Sequence, residues 1–517
     1  MSTSSIVMFE LNEVPWRVVL DHVARRPHGA LAQLLGQCEA FTTVAQEQRL
    51  SPWVTWSSLH RGVPEAEHGI TNLNADVREV DRARPPLWSL LRDAGVSTGV
   101  FGSMHSSALP QALRGVAFHV PDPFAEHPQT LPPAVEPFQR FNLTLSRRSA
   151  RNVERGVPWR DGLALARSLP SLGLRPRTLA QTAAQLLHER VDAAKVVRRR
   201  SVQARLGFDV FTRLLARTQP RYACFFTNHV AATMHRFWAA AYPDDYARND
   251  YPAPWRAAYR HEISWAMDQT DAMLSQLLAY THAGRGRELW LSTSMGQAAT
   301  RADNRTSTQL YLEDPAALMS ALGYAPAQYT RQAAMLPRVV LALDDVAAAS
   351  FAERTQGLRV AGEPVEIEWL GGGRVCVVVP VVQGRHDGTA IIRGRSVSMR
   401  ELGFADVAIE DESGQTAYHV PEGVLAIHSA SAPVRARVDA GLPRPHCSTL
   451  AVAPRVLERL GAPVPEYMRE RPLRMPAHAG PRQALRPRSL RPRAAGTGRG
   501  RDDDTTVALG SGPARLG

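Results

Sequence analysis

Cysteine is scarce in this chain of 517 residues, and the four present, Cys38, Cys224, Cys376 and Cys447, lie far apart with no CxxC pair. A disulfide framework and a zinc knuckle are therefore not expected, and the thiols read as buried groups in a reducing, cytoplasmic compartment. Long apolar runs are missing too. No stretch reaches the roughly 18 residues of a membrane span. The first apolar run, Ile6-Val7-Met8-Phe9, has no basic residues before it and is cut short by Glu10, so an ordinary secretion signal is not expected. Lysine is nearly absent: Lys195 stands alone among 61 basic residues, which reflects coding bias more than a mechanism. Acidic residues are outnumbered, giving a formal net charge of +12. Eleven arginines against four acidic residues from Arg469 onward carry seven of those charges. That stretch, 469–517, is rich in Pro, Gly and Arg and poor in apolar residues, so it is expected to be a disordered, solvated tail. Non-specific contact with RNA or anionic surfaces is its lesser reading, and no specific nucleic-acid partner is expected, because the rest of the chain carries no RNA-binding motif.

What is present fits a globular protein: 44% hydrophobic and 21% charged residues, in a chain long enough for one large core or two domains. Ile6 to Phe9 reads as a buried strand, followed by the polar turn Glu10-Leu11-Asn12-Glu13 and helical periodicity from Arg17 to Leu35. Further strands are expected near 39–45, 96–101, 222–227 and 288–292, with helices at 86–94 and 255–279 between them. Such alternation predicts a parallel sheet with helices on both faces. In sheets of that kind ligands bind at the carboxyl ends of strands, which makes the polar turns candidate sites. Two stretches break the rhythm. The segment 120–218 reads as a helical insertion whose basic run Lys195 to Arg200 lies on a solvated face. The segment 305–400 reads as a smaller α+β insertion. Core character resumes at Tyr418 and ends with a helix near Leu460, giving a domain over 1–468.

The stretch richest in chemistry is Ser51-Pro52-Trp53-Val54-Thr55-Trp56-Ser57-Ser58-Leu59-His60-Arg61-Gly62. A hydroxyl-rich entry to a helix is where many hydrolases keep a nucleophile. The plainer reading is a Ser N-cap and an amphipathic helix with Trp53, Trp56 and Leu59 inward. On this segment alone the plainer reading is preferred.

Seven landmarks in order resemble the alkaline phosphatase superfamily, and within it the type I phosphodiesterase/nucleotide pyrophosphatase group. They are Ile6 to Trp16; the hydroxyl segment closing on Gly62 with His68-Gly69-Ile70; Leu87-Trp88-Ser89-Leu90-Leu91; the strand leading to His235-Arg236-Phe237-Trp238; Ser294-Met295-Gly296; His419 with Glu422-Gly423; and Ala453 to Pro465. The resemblance implies an α/β, alkaline-phosphatase-like, doubly wound and mostly parallel sheet. It also implies a pair of divalent metals held by carboxylates and histidines, with a Thr or Ser attacking phosphorus. The ligand set does not carry over. Asn12 falls where a strand-one Asp is expected, Pro52 at the nucleophile with Ser51 just before it, and Ala231 at an Asp. Ser294 and Met295 replace an Asp-His pair, and only His235 and His419 match ligand types.

Two readings follow. The first is a divergent hydrolase acting on a phosphoryl-type ester without the usual dimetal set. Glu10 or Glu13 is its general base or joins His235 and His419 around a single metal, Ser51 or Thr55 is its nucleophile or a substrate contact, and His229 or His235 is its proton donor. Asn12, Glu13, Trp53, Asn228, Ser294 and Gln297 contact a small phosphorylated or glycan-like substrate. His235 and His419 hold one divalent metal, zinc or manganese, with metal-free chemistry as the alternative. The second reading is a non-catalytic binding protein for a phosphorylated or sugar-like ligand.

Overall fold

The structure is a computed structural model that describes residues 4–470 apart from 74, 107–113, 126, 149–164, 166, 169–171, 333, 335–337, 383–385, 410 and 431–443. The expected tail lies outside the described residues from 471 onward. At the centre is an eight-stranded sheet. Its strands, with two that pair beside it, are β1 (Ser5–Leu11), β2 (Cys38–Val44), β3 (Thr98–Phe101), β4 (Val116–Val120), β5 (Tyr222–Thr227), β6 (Arg287–Ser292), β7 (Gly296–Ala299), β8 (Ala417–Val420), β9 (Glu422–Ser429) and β10 (His446–Ser448). The order across the sheet is β10-β2-β9-β6-β1-β5-β3-β4, while β7 and β8 form a separate antiparallel pair. Every neighbour pair in the sheet is parallel except the two made by β9.

β1 is central and buried on both faces, which is why its sequence runs apolar without alternation. Val7, Phe9 and Leu11 face a core shared with α1 (Trp16–Arg25), α2 (Ala30–Gly36) and the long helices described next. The other face, carrying Ile6, Met8 and Glu10, lies under α3 (Pro52–Arg61). Next come α4 (Leu87–Asp93), α5 (Pro176–Val191), α6 (Arg199–Thr218), α7 (His229–Ala241), α8 (Ala253–Tyr259), α9 (Glu262–His282) and α10 (Val452–Leu460). Phe208 and Phe211 of α6 pack edge-on or tilted against Phe9, Phe101 and Phe225, so the helical segment between β4 and β5 seals the sheet with a cluster of rings. Between β7 and β8 the described residues form two four-stranded sheets, a two-stranded antiparallel ladder and two helices around their own apolar cluster, including Leu341, Phe351, Val375 and Phe404.

The helical periods expected at 17–35 and 255–279 are each broken in the structure, and the helical insertion is broken at Asp192. Periodicity from Arg17 to Leu35 is interrupted after Arg25, where Pro27 removes a donor and Gly29 precedes α2. Asp192 ends α5 with extended backbone and caps the turn Ala193–Arg198 by accepting from the Ala194 amide. Arg260 and His261 separate α8 from α9. The basic run Lys195 to Arg200 is not a solvated face. Lys195 and Arg198 close on the buried Glu262 carboxylate at 3.0 and 2.7 Å, and Arg199 meets Glu189 at 2.8 Å. A carboxylate on α9 taken from water requires cations beside it, so the charge run turns inward.

Candidate functional site

β1 ends at Leu11, and the chain leaves it through Asn12 and Glu13. Glu13 has φ +59°, in the left-handed region where side chains other than glycine cost about 1 kcal/mol. The Glu13 carboxylate is buried, and four groups converge on it. Asn12 donates its Nδ2 to Glu13 Oε1 at 2.7 Å. Gln297 donates its Nε2 to Glu13 Oε2. The Nε2 atoms of His235 and His419 lie 3.0 and 3.3 Å from that same Oε2.

Each element has a local reason for its place. His235 lies in the second turn of α7, whose first residue follows Asn228 at the end of β5. Asn228 accepts from Asn12 Nδ2 at 2.8 Å, which ties the ends of β1 and β5. Gln297 and His419 are cross-strand partners in the β7–β8 pair. Gly296 makes that pairing possible, since a Cβ there would sit 2.2 Å from the Glu422 carbonyl oxygen.

The two histidines are held alike. His235 Nδ1 lies 2.8 Å from the Ala417 carbonyl and His419 Nδ1 lies 2.6 Å from the Leu50 carbonyl. A carbonyl only accepts, so each Nδ1 carries a hydrogen. In the neutral ring each Nε2 is then a lone pair aimed at a carboxylate oxygen. That repulsion is relieved by protonating the rings or by placing a cation among the three groups. Burial alone pushes the Glu13 carboxyl up, but the His419 and His235 imidazoliums and their hydrogen bonds outweigh it and hold it well below the usual carboxylate range.

Among the described residues, Glu13, His235 and His419 are the one group of three whose ligand atoms lie within 4.8 Å of one another. The fit to a divalent cation is good. One carboxylate and two imidazoles with their Nδ1 atoms bonded behind them form a common donor set. Gln297, whose Nε2 bonds Glu13, keeps a buried Oε1 with no hydrogen-bond partner among the described residues. The rings remain partly accessible, at 13% for His235 and 8% for His419, so the cluster opens on that side.

The structure thus gathers Asn12, Glu13, Asn228, His235, Gln297 and His419. Ser51, Thr55 and Ser294 sit alongside as a hydroxyl knot, in which Thr55 Oγ1 bonds the Ser51 carbonyl at 3.1 Å and Ser294 Oγ at 2.8 Å. Thr55 and Ser294 are fully buried, so the hydroxyl expected as a nucleophile at Thr55 has no exposed surface in this structure. The Ser51 side chain makes no cap to the helix it precedes. Trp53 packs edge-on against Phe124 and His105, at 5.0 and 6.4 Å between centroids.

Two further expected site residues bond elsewhere than in the cluster. Glu10 is not at a strand end but inside β1, with no solvent exposure, bonded to His60 Nε2 at 2.9 Å and Ser103 Oγ at 2.6 Å. A base walled in by α3 reaches no substrate. His229 points into the core, with Nδ1 at 2.7 Å from Thr227 Oγ1 and Nε2 at 3.2 Å from the Ala266 carbonyl. Burial lowers its pKa to about 4, which favours the neutral ring near neutral pH. The residue missed was Trp56, read only as an inward apolar group. Its indole donates to Asn12 Oδ1 at 2.7 Å. Its one polar atom, on a helix beside a polar turn, was the available signal.

No protein-family model matches the chain, and no curated protein matches it. The chain is similar to solved structures of the alkaline phosphatase superfamily. An inactive variant of murine ectonucleotide pyrophosphatase/phosphodiesterase 5 in complex with AMP is 9% identical, with 89% of this chain and 96% of that one covered and a TM-score of 0.38. Phosphonoacetate hydrolase from Sinorhizobium meliloti in complex with phosphonoformate is 12% identical over 89% and 96%, with a TM-score of 0.38. Wild-type alkaline phosphatase PafA is 12% identical over 92% and 99%, with a TM-score of 0.44. At such identities and scores these likenesses carry nothing about what this chain binds or does.

Proposed function

We propose that this chain is a divergent member of the alkaline phosphatase superfamily that holds one divalent cation, zinc or manganese, on Glu13, His235 and His419. It acts on a small phosphoryl-type ester brought against that cation. One observation carries the reading: two imidazole Nε2 atoms face one carboxylate oxygen while both Nδ1 atoms are taken by backbone carbonyls. A bound cation supplies Lewis-acid polarisation of a phosphoryl oxygen. The chain's own residues then have defined parts. Asn12 and Gln297 orient Glu13 through hydrogen bonds, and Asn228 holds Asn12. The domain proposed for this work is 1–468, with helical and α+β insertions at about 120–218 and 305–400. A cytoplasmic residence, with the four cysteines as free thiols, is part of the proposal. No described helix is long and apolar enough to cross a membrane.

A second reading has its own support. With Thr55 and Ser294 fully buried, neither hydroxyl is available to attack phosphorus, which favours a binding protein that keeps the cation for a phosphorylated or sugar-like ligand. The deciding experiment is elemental metal content of the full chain after exchange into zinc- and manganese-containing buffer and desalting, paired with hydrolysis of bis(p-nitrophenyl) phosphate. About one equivalent is expected, lost in Glu13→Gln and in the double variant His235→Ala with His419→Ala. Turnover lost together with the metal supports the hydrolase, and metal without turnover supports the binder. Metal content that is zero, or unchanged in both variants, overturns the site.

A further inference from the structure

The amide of Asn12 is held in one of its two orientations by a residue outside the cluster. A tryptophan indole N–H can only donate. At 2.7 Å from Asn12, Trp56 Nε1 therefore requires the amide oxygen on its side. The amide nitrogen is then turned to the other side, where it donates to Glu13 Oε1 at 2.7 Å and to Asn228 Oδ1 at 2.8 Å. Turned over, the amide would set donor against donor at Trp56 and acceptor against two acceptors at Glu13 and Asn228. The indole itself has no room to move. It is fully buried, stacked on the His60 ring at 5.4 Å between centroids and capped edge-on by Phe226 at 5.7 Å. His60 in turn is fixed by Glu10, whose other oxygen accepts from Ser103.

Resting on the one-cation reading above, we propose that Trp56 is a positioning residue for the cation site. Held by the Ser103–Glu10–His60 stack, its N–H fixes the Asn12 amide, and that amide fixes the rotamer of Glu13 and presents a donor, not a cation-binding oxygen, toward the cluster. This gives a role to the buried Glu10–His60 pair, which touches nothing in the cluster. It also accounts for a site built for one cation, since position 12 spends its oxygen on Trp56.

The test is the zinc dissociation constant of the full chain, measured by competition with a chromogenic chelator, beside its urea midpoint. Trp56→Phe keeps an aromatic ring on His60 and removes the donor. Trp88→Phe is the packing control, since Trp88 meets the same His60 ring at 4.9 Å and is separate from Asn12. The expected result is a roughly tenfold weaker zinc affinity in Trp56→Phe, equal to about 1.4 kcal/mol, with Trp88→Phe unchanged in affinity though lowered in urea midpoint. Equal weakening in both variants means that packing alone matters and overturns the proposal. So does unchanged affinity in Trp56→Phe while Glu13→Gln abolishes binding. Zinc bound equally well by Glu13→Gln removes the one-cation reading itself, a different failure from either of these.

Discussion

Glu10 and Glu13 are three residues apart and do opposite work. Glu13, past the strand end, meets two accessible imidazoles. Glu10, still within β1, is sealed under α3 with His60 and Ser103 as its partners. Glu10→Gln replaces one accepting oxygen by a donor, so either His60 must take its other tautomer or Ser103 must turn its hydroxyl hydrogen away, and a bond of the buried set is given up. A hydrogen bond lost in such a site costs about 1 kcal/mol. The urea midpoint of Glu10→Gln is expected to fall accordingly, and an unchanged midpoint would contradict the buried pairing. The two roles were not separable in the sequence. Strand periodicity told that residues near 6–9 are buried, but whether the strand stops at Phe9 or at Leu11 decides which glutamate reaches the site, and element ends are set by tertiary pairing. Here β5 and β6 extend the ladder through Glu10.

At the scale of elements, the site depends on a small pair of strands more than on the large sheet. β7 and β8 bring Gln297 and His419 together across the ladder, and they close tightly because Gly296 has no side chain. A Cβ at 2.2 Å from the Glu422 carbonyl oxygen cannot be accommodated by rotating a side chain, since the obstacle is backbone. Gly296→Ala is therefore expected to push β7 from the β8–β9 turn. Zinc affinity should fall at least tenfold, with a stability loss of about 1–3 kcal/mol as in other overpacked positions. Retained affinity in that variant would show that the strand pair does not set the site. The glycine was visible in Ser294-Met295-Gly296, and its place in the order of landmarks drew attention to the segment. Its physical reason, a carbonyl from a stretch over a hundred residues later, was not. The same limit explains the basic run at 195–200: the sequence shows its charge, but its partner Glu262 lies on another helix.

Over the whole molecule, alternation of strand and helix was legible, because parallel strands buried on both faces leave short apolar runs separated by helical periods. The antiparallel β9 and the breaks within helices were not, since they follow from where the chain must return. Burial also fixes how the molecule responds to acid. His119 and His229 are buried as neutral rings, each with its pKa lowered to about 4, and desolvation is the first cause in both. His229 accepts from Thr227 and donates to the Ala266 carbonyl, so its neutral form is already bonded on both sides. The unfolded chain takes up a proton at each of these histidines near pH 6.5, whereas the folded chain refuses it until about pH 4. Stability is thus fully present above the unfolded value, falls as pH drops through the window from about 6.5 to 4, and levels below it. Each histidine contributes on the order of 3–4 kcal/mol across that window. Urea midpoints measured from pH 8 to pH 5 should fall steeply below pH 6.5. His229→Gln, which cannot titrate, should start lower at pH 7 and fall less steeply. A wild-type midpoint that stays flat between pH 7 and pH 5 would mean that these rings are protonated as readily in the folded chain as in the unfolded one, and the packing around α7 and α9 would have to be looser than the structure has it.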